Sequence, residues 1–140
     1  MNKMRPELSK KNPYWISKYR YYELRYFCLQ YYEWKHDYCE LELKLSPRTT
    51  QYNNVSRTHT NDWVSEAAVK MAELKRKMEL VEQTCIETDS DLYSYILQGV
   101  TKGYGYTYLQ TVLGIPCTKD AYYDKYHKFF YILSNRWGAT

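Results

Sequence analysis

A length of 140 residues suits one domain and is enough to bury a core without staples. No apolar run approaches the length of a membrane span, and the polar start MNKMRPELSKKNP holds no secretion segment, so a cytoplasmic protein with no membrane contact is expected. The net charge of +4 is mild, but residues 1–20 carry six Lys/Arg against one Glu, and residues 91–140 carry five against three acids. Basic ends of this kind meet a polyanion while the more acidic centre faces solvent or protein. A solubilising arm has the same signature. The 18 tyrosines suit half-buried surfaces, interfaces and stacking on bases, and equally the core and rim of a small helical domain.

Residues 1–13 read as a flexible basic arm with few apolar groups, Pro6, Pro13 and the pair Lys10–Lys11. From Tyr14 the pattern turns helical, and no Gly or Pro interrupts it before Ser46. Leu24, Phe27, Cys28, Tyr31, Tyr38 and Leu41 keep one side apolar. Either one long helix or a break near Gln30-Tyr31-Tyr32 fits. Lys18, Arg20 and Arg25 alternate with Tyr19, Tyr21, Tyr22 and Tyr26, a mixture that grips phosphates and stacks on bases. An amphipathic core helix with a wet basic side has the same composition.

Residues 46–62 are polar and read as a loop, with Asn61 or Asp62 capping the next helix. Residues 63–87 then carry Val64, Ala67, Met71, Leu74, Met78, Val81 and Cys85 at heptad spacing. The acid-first pairs Glu66–Lys70 and Glu73–Lys77 support that helix. The stripe supports a homodimer through the Val64–Cys85 face, or packing within the chain, which the small and flexible Ala67, Met71 and Met78 favour.

The remaining chain divides into helices over about 90–101, 106–113 and 119–135. Leu92, Tyr95, Ile96 and Val100 line the first, and Gly103 and Gly105 end it. Leu109 and Leu113, one turn apart, share a face of the second. Gly114 supplies positive φ, Ile115 plugs into the core, Pro116 bars continuation and Thr118 caps the third helix. Tyr122, Tyr126, Phe129, Phe130 and Leu133 form the broad apolar face of that helix. The expected fold is all-α, a small helical bundle in which a two-helix part over 14–87 precedes a trihelical helix-turn-helix unit over 88–137.

No site for chemistry stands out. Phosphate-cradling glycine loops, HExxH, GxSxG and acidic clusters are missing, so an enzyme, a metal and a cofactor are not expected. If Cys28 and Cys39 share one helix, they lie about 16 Å apart, beyond disulfide reach. The four cysteines therefore read as small buried hydrophobes rather than ligands.

The run YILQGVTKGYGYTYLQTVLGIPCTKDAYYDKYHKFFYILS resembles the C-terminal helix-turn-helix of RinA/ArpU-type late-gene activators from prophages of Gram-positive bacteria. The stretch KYRYYELRYFCLQYYEWK looks like the start of related small phage proteins. The resemblance implies a transcriptional regulator that binds double-stranded DNA with a reading unit like region 4 of sigma factors. Its groove-facing helix would run from Lys119 to Leu133, with Lys119, Tyr123, His127 and Lys128 nearest DNA and with Lys10, Lys11, Lys18 and Arg20 adding phosphate contacts. Asp120 and Asp124 on that helix repel phosphates and depart from the pattern. A second expectation is a phage-encoded inhibitor, of anti-CRISPR kind, that meets a host nuclease complex or RNA polymerase through a tyrosine-rich surface.

Overall fold

The computed structural model describes residues 9–46 and 57–137, the side chains of the second stretch from Asp62 onward. Among the described residues the fold is all-helical, without a strand. Its helices are α1 (Lys18–Cys28), α2 (Tyr31–Lys44), α3 (Arg57–Thr88), α4 (Tyr93–Lys102), α5 (Tyr106–Thr111) and α6 (Lys119–Trp137).

Two compact units divide these helices differently from the sequence segments. The first comprises residues 1–30 and 80–140, the second residues 31–79. In the first unit α1 packs on α4 and α6, and α4 packs on α5 and α6. The C-terminal helices therefore share their core with α1, because Tyr21, Leu24 and Cys28 are buried on that helix. Periodicity marks an apolar face but does not say what covers it.

Each boundary has a local cause. Ser17 starts α1 in extended geometry, and its Oγ accepts the Arg20 N–H at 3.4 Å. Ahead of it, Asn12 Oδ1 accepts the Tyr14 N–H at 2.8 Å and the Asn12 carbonyl accepts the Trp15 N–H at 3.1 Å, so residues 9–15 form turns. Residues 1–8 of the expected arm lie outside the described residues. Of the two readings for Tyr14–Ser46, the break is the one found, at Leu29-Gln30, with neither Gly nor Pro. The Gln30 N–H reaches the Phe27 carbonyl at 3.2 Å, a tightened last turn.

The expected loop over 46–62 falls largely outside the described residues, but its end is corrected. Helix α3 begins at Arg57, so Asn61 and Asp62 lie inside it and cap nothing. Polar residues extend a helix once an apolar stripe further along anchors it. That stripe is covered within the chain, with Ala67, Leu74, Val81 and Cys85 buried and Val64, Met71 and Met78 half-buried. The homodimer expected through this face loses its seam to intrachain packing. In the second unit Tyr31 and Trp34 are buried on α2. Lys77 lies 5.6 Å over the Trp34 ring and makes no ion pair with Glu73.

Helix α3 hands over to α4 through Asp89, whose carboxylate accepts the N–H groups of Asp91 at 2.9 Å and Leu92 at 3.0 Å. Lys125 of α6 pairs with it at 3.3 Å. Burial works to raise this carboxyl, but the two N–H bonds and the ammonium outweigh it and hold it below the usual aspartate range. A depressed folded pKa gives stability that is present above the unfolded value, about 3.9, and is lost as pH falls through the folded value. Asp89→Ala is expected to cost about 1–2 kcal/mol near neutral pH. In urea melts at descending pH the difference between variant and parent should close below about pH 4. A gap that persists at the acid end refutes the assignment.

Gly103 closes α4 at φ 76°, its N–H returning to the Gly99 carbonyl at 3.0 Å. The α5–α6 connection follows the expectation at Gly114, Ile115 and Thr118. Gly114 has φ 72°, Ile115 is buried with its N–H on the Leu109 carbonyl at 3.0 Å, and Thr118 Oγ1 accepts the Ala121 N–H at 3.2 Å. Leu113 corrects it. The helix ends at Thr111, so Leu113 is 37% exposed and Val112 58%, while Leu109 alone enters the core. Tyr106 spans the gap, its hydroxyl donating to the Cys117 carbonyl at 2.5 Å. On α6 all five expected core residues, Tyr122, Tyr126, Phe129, Phe130 and Leu133, are buried.

Candidate nucleic-acid interface

The non-core side of α6 leaves Lys119, Asp120 and Asp124 exposed and Tyr123, His127 and Lys128 half-buried. The amphipathic period dictates this, since residues between the buried i, i+4 and i+7 positions must face outward. Asp120 sits in the first turn, where the positive end of the helix dipole favours a carboxylate. Neither Asp120 nor Asp124 makes an ion pair with a described residue.

Two clefts of the first unit meet at His127, which lines both. The larger, about 890 Å³, is lined by Arg25 of α1, Tyr104, Tyr106 and Tyr108 around α5, and Lys119, Asp120 and Tyr123 of α6. The smaller, about 310 Å³, is lined by Lys10, Tyr14, Trp15, Lys18 and Tyr22. A strip of cations and rings thus runs from Lys10 and Lys18, past His127, to Arg25 and Lys119. It joins three separate stretches of sequence.

The rings are held in place. The Tyr123 hydroxyl accepts the Tyr106 N–H at 3.3 Å, and its ring meets Tyr122 and Tyr126 at 5.0 and 5.7 Å. The His127 ring stands edge-on to Tyr126 at 5.9 Å. Beneath them the Tyr21 and Tyr126 hydroxyls bond at 2.7 Å. Burial, and then the neighbouring Tyr21, push the Tyr126 phenol well above its ordinary range, so it stays neutral and structural. Tyr104 and Tyr108 stack at 4.0 Å, and Lys102 lies 5.9 Å over Tyr104. The neighbouring Tyr104 hydroxyl raises the Tyr108 phenol. Composition pointed to tyrosines in general. It could not single out this pair, whose spacing of four residues is shared by Tyr22–Tyr26 and Tyr122–Tyr126.

The expected cations divide by placement. Lys10 lies 5.7 Å over Trp15 and Lys18 the same distance over Tyr19, and both line the smaller cleft. Lys11 is exposed and Lys128 half-buried, and neither lines either of these two clefts. Arg20 is bound up in the fold. Its Nε donates to Ser134 Oγ and a terminal N–H to the Ser134 carbonyl, both at 2.9 Å. Its other arm reaches Glu23 at 3.1 Å, and the guanidinium lies 5.0 Å over Trp137. Arg25, expected only as part of the basic and aromatic mixture on α1, is half-buried and lines the larger cleft. Its guanidinium lies 5.7 Å over the Tyr26 ring.

Cys28 and Cys85 are buried as expected, whereas Cys39 is exposed and Cys117 half-buried. Burial pushes the Cys28 thiol well up, with Cys85 adding to the effect. Among the described residues no group of three His, Cys, Asp or Glu side chains could hold a metal ion. No helix of the described residues is long and apolar enough to cross a membrane. No protein-family model, curated protein or solved structure matches the chain.

Proposed function

We propose that this chain is a phage-type transcriptional regulator that binds double-stranded DNA, with α6 lying toward the duplex. The observation that carries the reading is the strip centred on His127. It brings Lys10 and Lys18 to one side of the α6 surface and Arg25 and Lys119 to the other. Spaced cations interleaved with rings bind a phosphate backbone and release its counterions. The turn at Gly114 and buried Ile115, followed by a capped helix, is the geometry a groove-reading helix needs. Asp120 and Asp124 weaken non-specific grip, and an aspartate at a groove accepts a hydrogen bond from the cytosine amino group.

Fluorescence anisotropy against labelled genomic duplexes over a salt series tests this. The logarithm of affinity should fall linearly with the logarithm of salt. Each of Lys10→Ala, Lys18→Ala and Lys119→Ala should reduce the slope by about 0.9. Arg20→Ala should leave the slope unchanged wherever the variant remains folded. Binding that is flat at low salt overturns the reading.

The inhibitor reading keeps one specific support. Tyr19 and Tyr26, seven residues apart on α1, are 78% and 58% exposed, and large exposed rings anchor protein interfaces. A host nuclease or polymerase retained stoichiometrically in a pull-down, with no DNA bound, would favour it.

A further inference from the structure

The larger cleft sets a pair of stacked tyrosines and a guanidinium beside one another. We infer that it receives unpaired nucleotides flanking the duplex, stacking a base on the Tyr104–Tyr108 pair with a phosphate at Arg25. The inference rests on the nucleic-acid reading above but not on α6 entering a groove.

Three observations carry it. The cleft holds about 890 Å³, within the range of small-ligand sites and larger than one nucleotide. One wall is the Tyr104–Tyr108 stack, with centroids 4.0 Å apart and planes 29° apart, so a further flat ring would extend an existing stack. Arg25 lines the same cleft half-buried, with no ion pair to a described carboxylate. A partly desolvated guanidinium without an acid partner favours an anion, and phosphate matches its fork. Lys102 over Tyr104 and Lys119 at the rim add charge of the same sign. Asp120 is the one carboxylate on the lining, and it sits beside Lys119.

The test compares a blunt duplex, the same duplex with a short unpaired thymidine overhang, and an oligothymidine, all titrated by anisotropy at one low salt concentration. The parent should bind the overhang duplex about tenfold tighter than the blunt one, the size of one well-stacked base. Tyr104→Ala/Tyr108→Ala should abolish that gain, and Tyr104→Phe/Tyr108→Phe should keep it. Arg25→Gln should reduce it. Should the double alanine variant fail to fold, the single change at exposed Tyr108 and Arg25→Gln carry the test. Equal affinity for both duplexes, or a gain that survives loss of the rings, overturns the cleft while leaving duplex binding to its own experiment. Oligothymidine bound through the tyrosine pair with no blunt-duplex binding upholds the cleft and overturns the groove reading. Binding to none of the three removes both.

Discussion

Phe130→Ala is expected to cost about 3–5 kcal/mol of folding stability. Phe130 is 1% exposed. Its ring stands edge-to-face with Tyr21 at 5.1 Å, Tyr126 at 5.0 Å and Phe129 at 4.9 Å. Truncation removes the transfer free energy of the ring and leaves a cavity whose walls are themselves rings, which collapse poorly. Each lost edge-to-face contact adds about 0.5–1.5 kcal/mol. Because Tyr21 lies on α1 and the others on α6, the contact between those two helices loosens. Phe130→Leu, which keeps an apolar filling, should cost roughly half as much. Urea denaturation gives the comparison, with the midpoint moving while the slope stays constant. A loss below about 1 kcal/mol for the alanine variant would mean that the aromatic cluster is not the core.

Gly99→Ala is the second large effect, and its sign opposes helix propensity. Gly99 lies inside α4, where alanine normally gains about 1 kcal/mol over glycine. Here an added Cβ would meet the Tyr122 hydroxyl oxygen at 2.1 Å. Tyr122 is fully buried and cannot swing aside, so a cost of about 1–3 kcal/mol is expected. That hydroxyl has no hydrogen-bond partner among the described residues. Tyr122→Phe should therefore be neutral or stabilising by about 1 kcal/mol, since it deletes a buried, unpaired polar group. The combination decides the case. With the hydroxyl gone, the nearest atoms to the new Cβ are a Tyr122 ring carbon at 3.4 Å and a Leu109 methyl at 3.6 Å, ordinary contacts. Gly99→Ala/Tyr122→Phe should recover at least parent stability, a strongly non-additive cycle. Additive costs in thermal melts would show that α4 and α6 do not approach at this point.

The elements legible in the sequence are those whose signal is local. Tyr122, Tyr126, Phe129, Phe130 and Leu133 announce their face by spacing, and Gly114-Ile115 announces its turn by chemistry. Leu113 departs from that pattern because the spacing rule assumes a helix that in fact ends two residues earlier. The start of α3 was illegible for the opposite reason, since the residues from Arg57 to Asp62 carry no apolar period of their own. Arg20 reads as a free cation because its partner Ser134 is 114 residues away. At the candidate interface, Lys10, Lys18, His127 and Lys119 are each legible as charges or rings. That His127 lies between two clefts is not, because it depends on how α1 and the turns before it pack on α6.

The clasp on the far end of α6 has a dynamic consequence. The closing turn of a helix ordinarily frays, and its amides exchange with solvent almost freely. Here Ser134 is held by Arg20, Arg136 pairs with Glu87, and Trp137 rests 5.1 Å from Phe27 beneath the same arginine. Deuterium uptake at residues 134–137 should therefore be slow, opening only in concert with the first turn of α1. Residues 134–137 would then behave kinetically as interior ones.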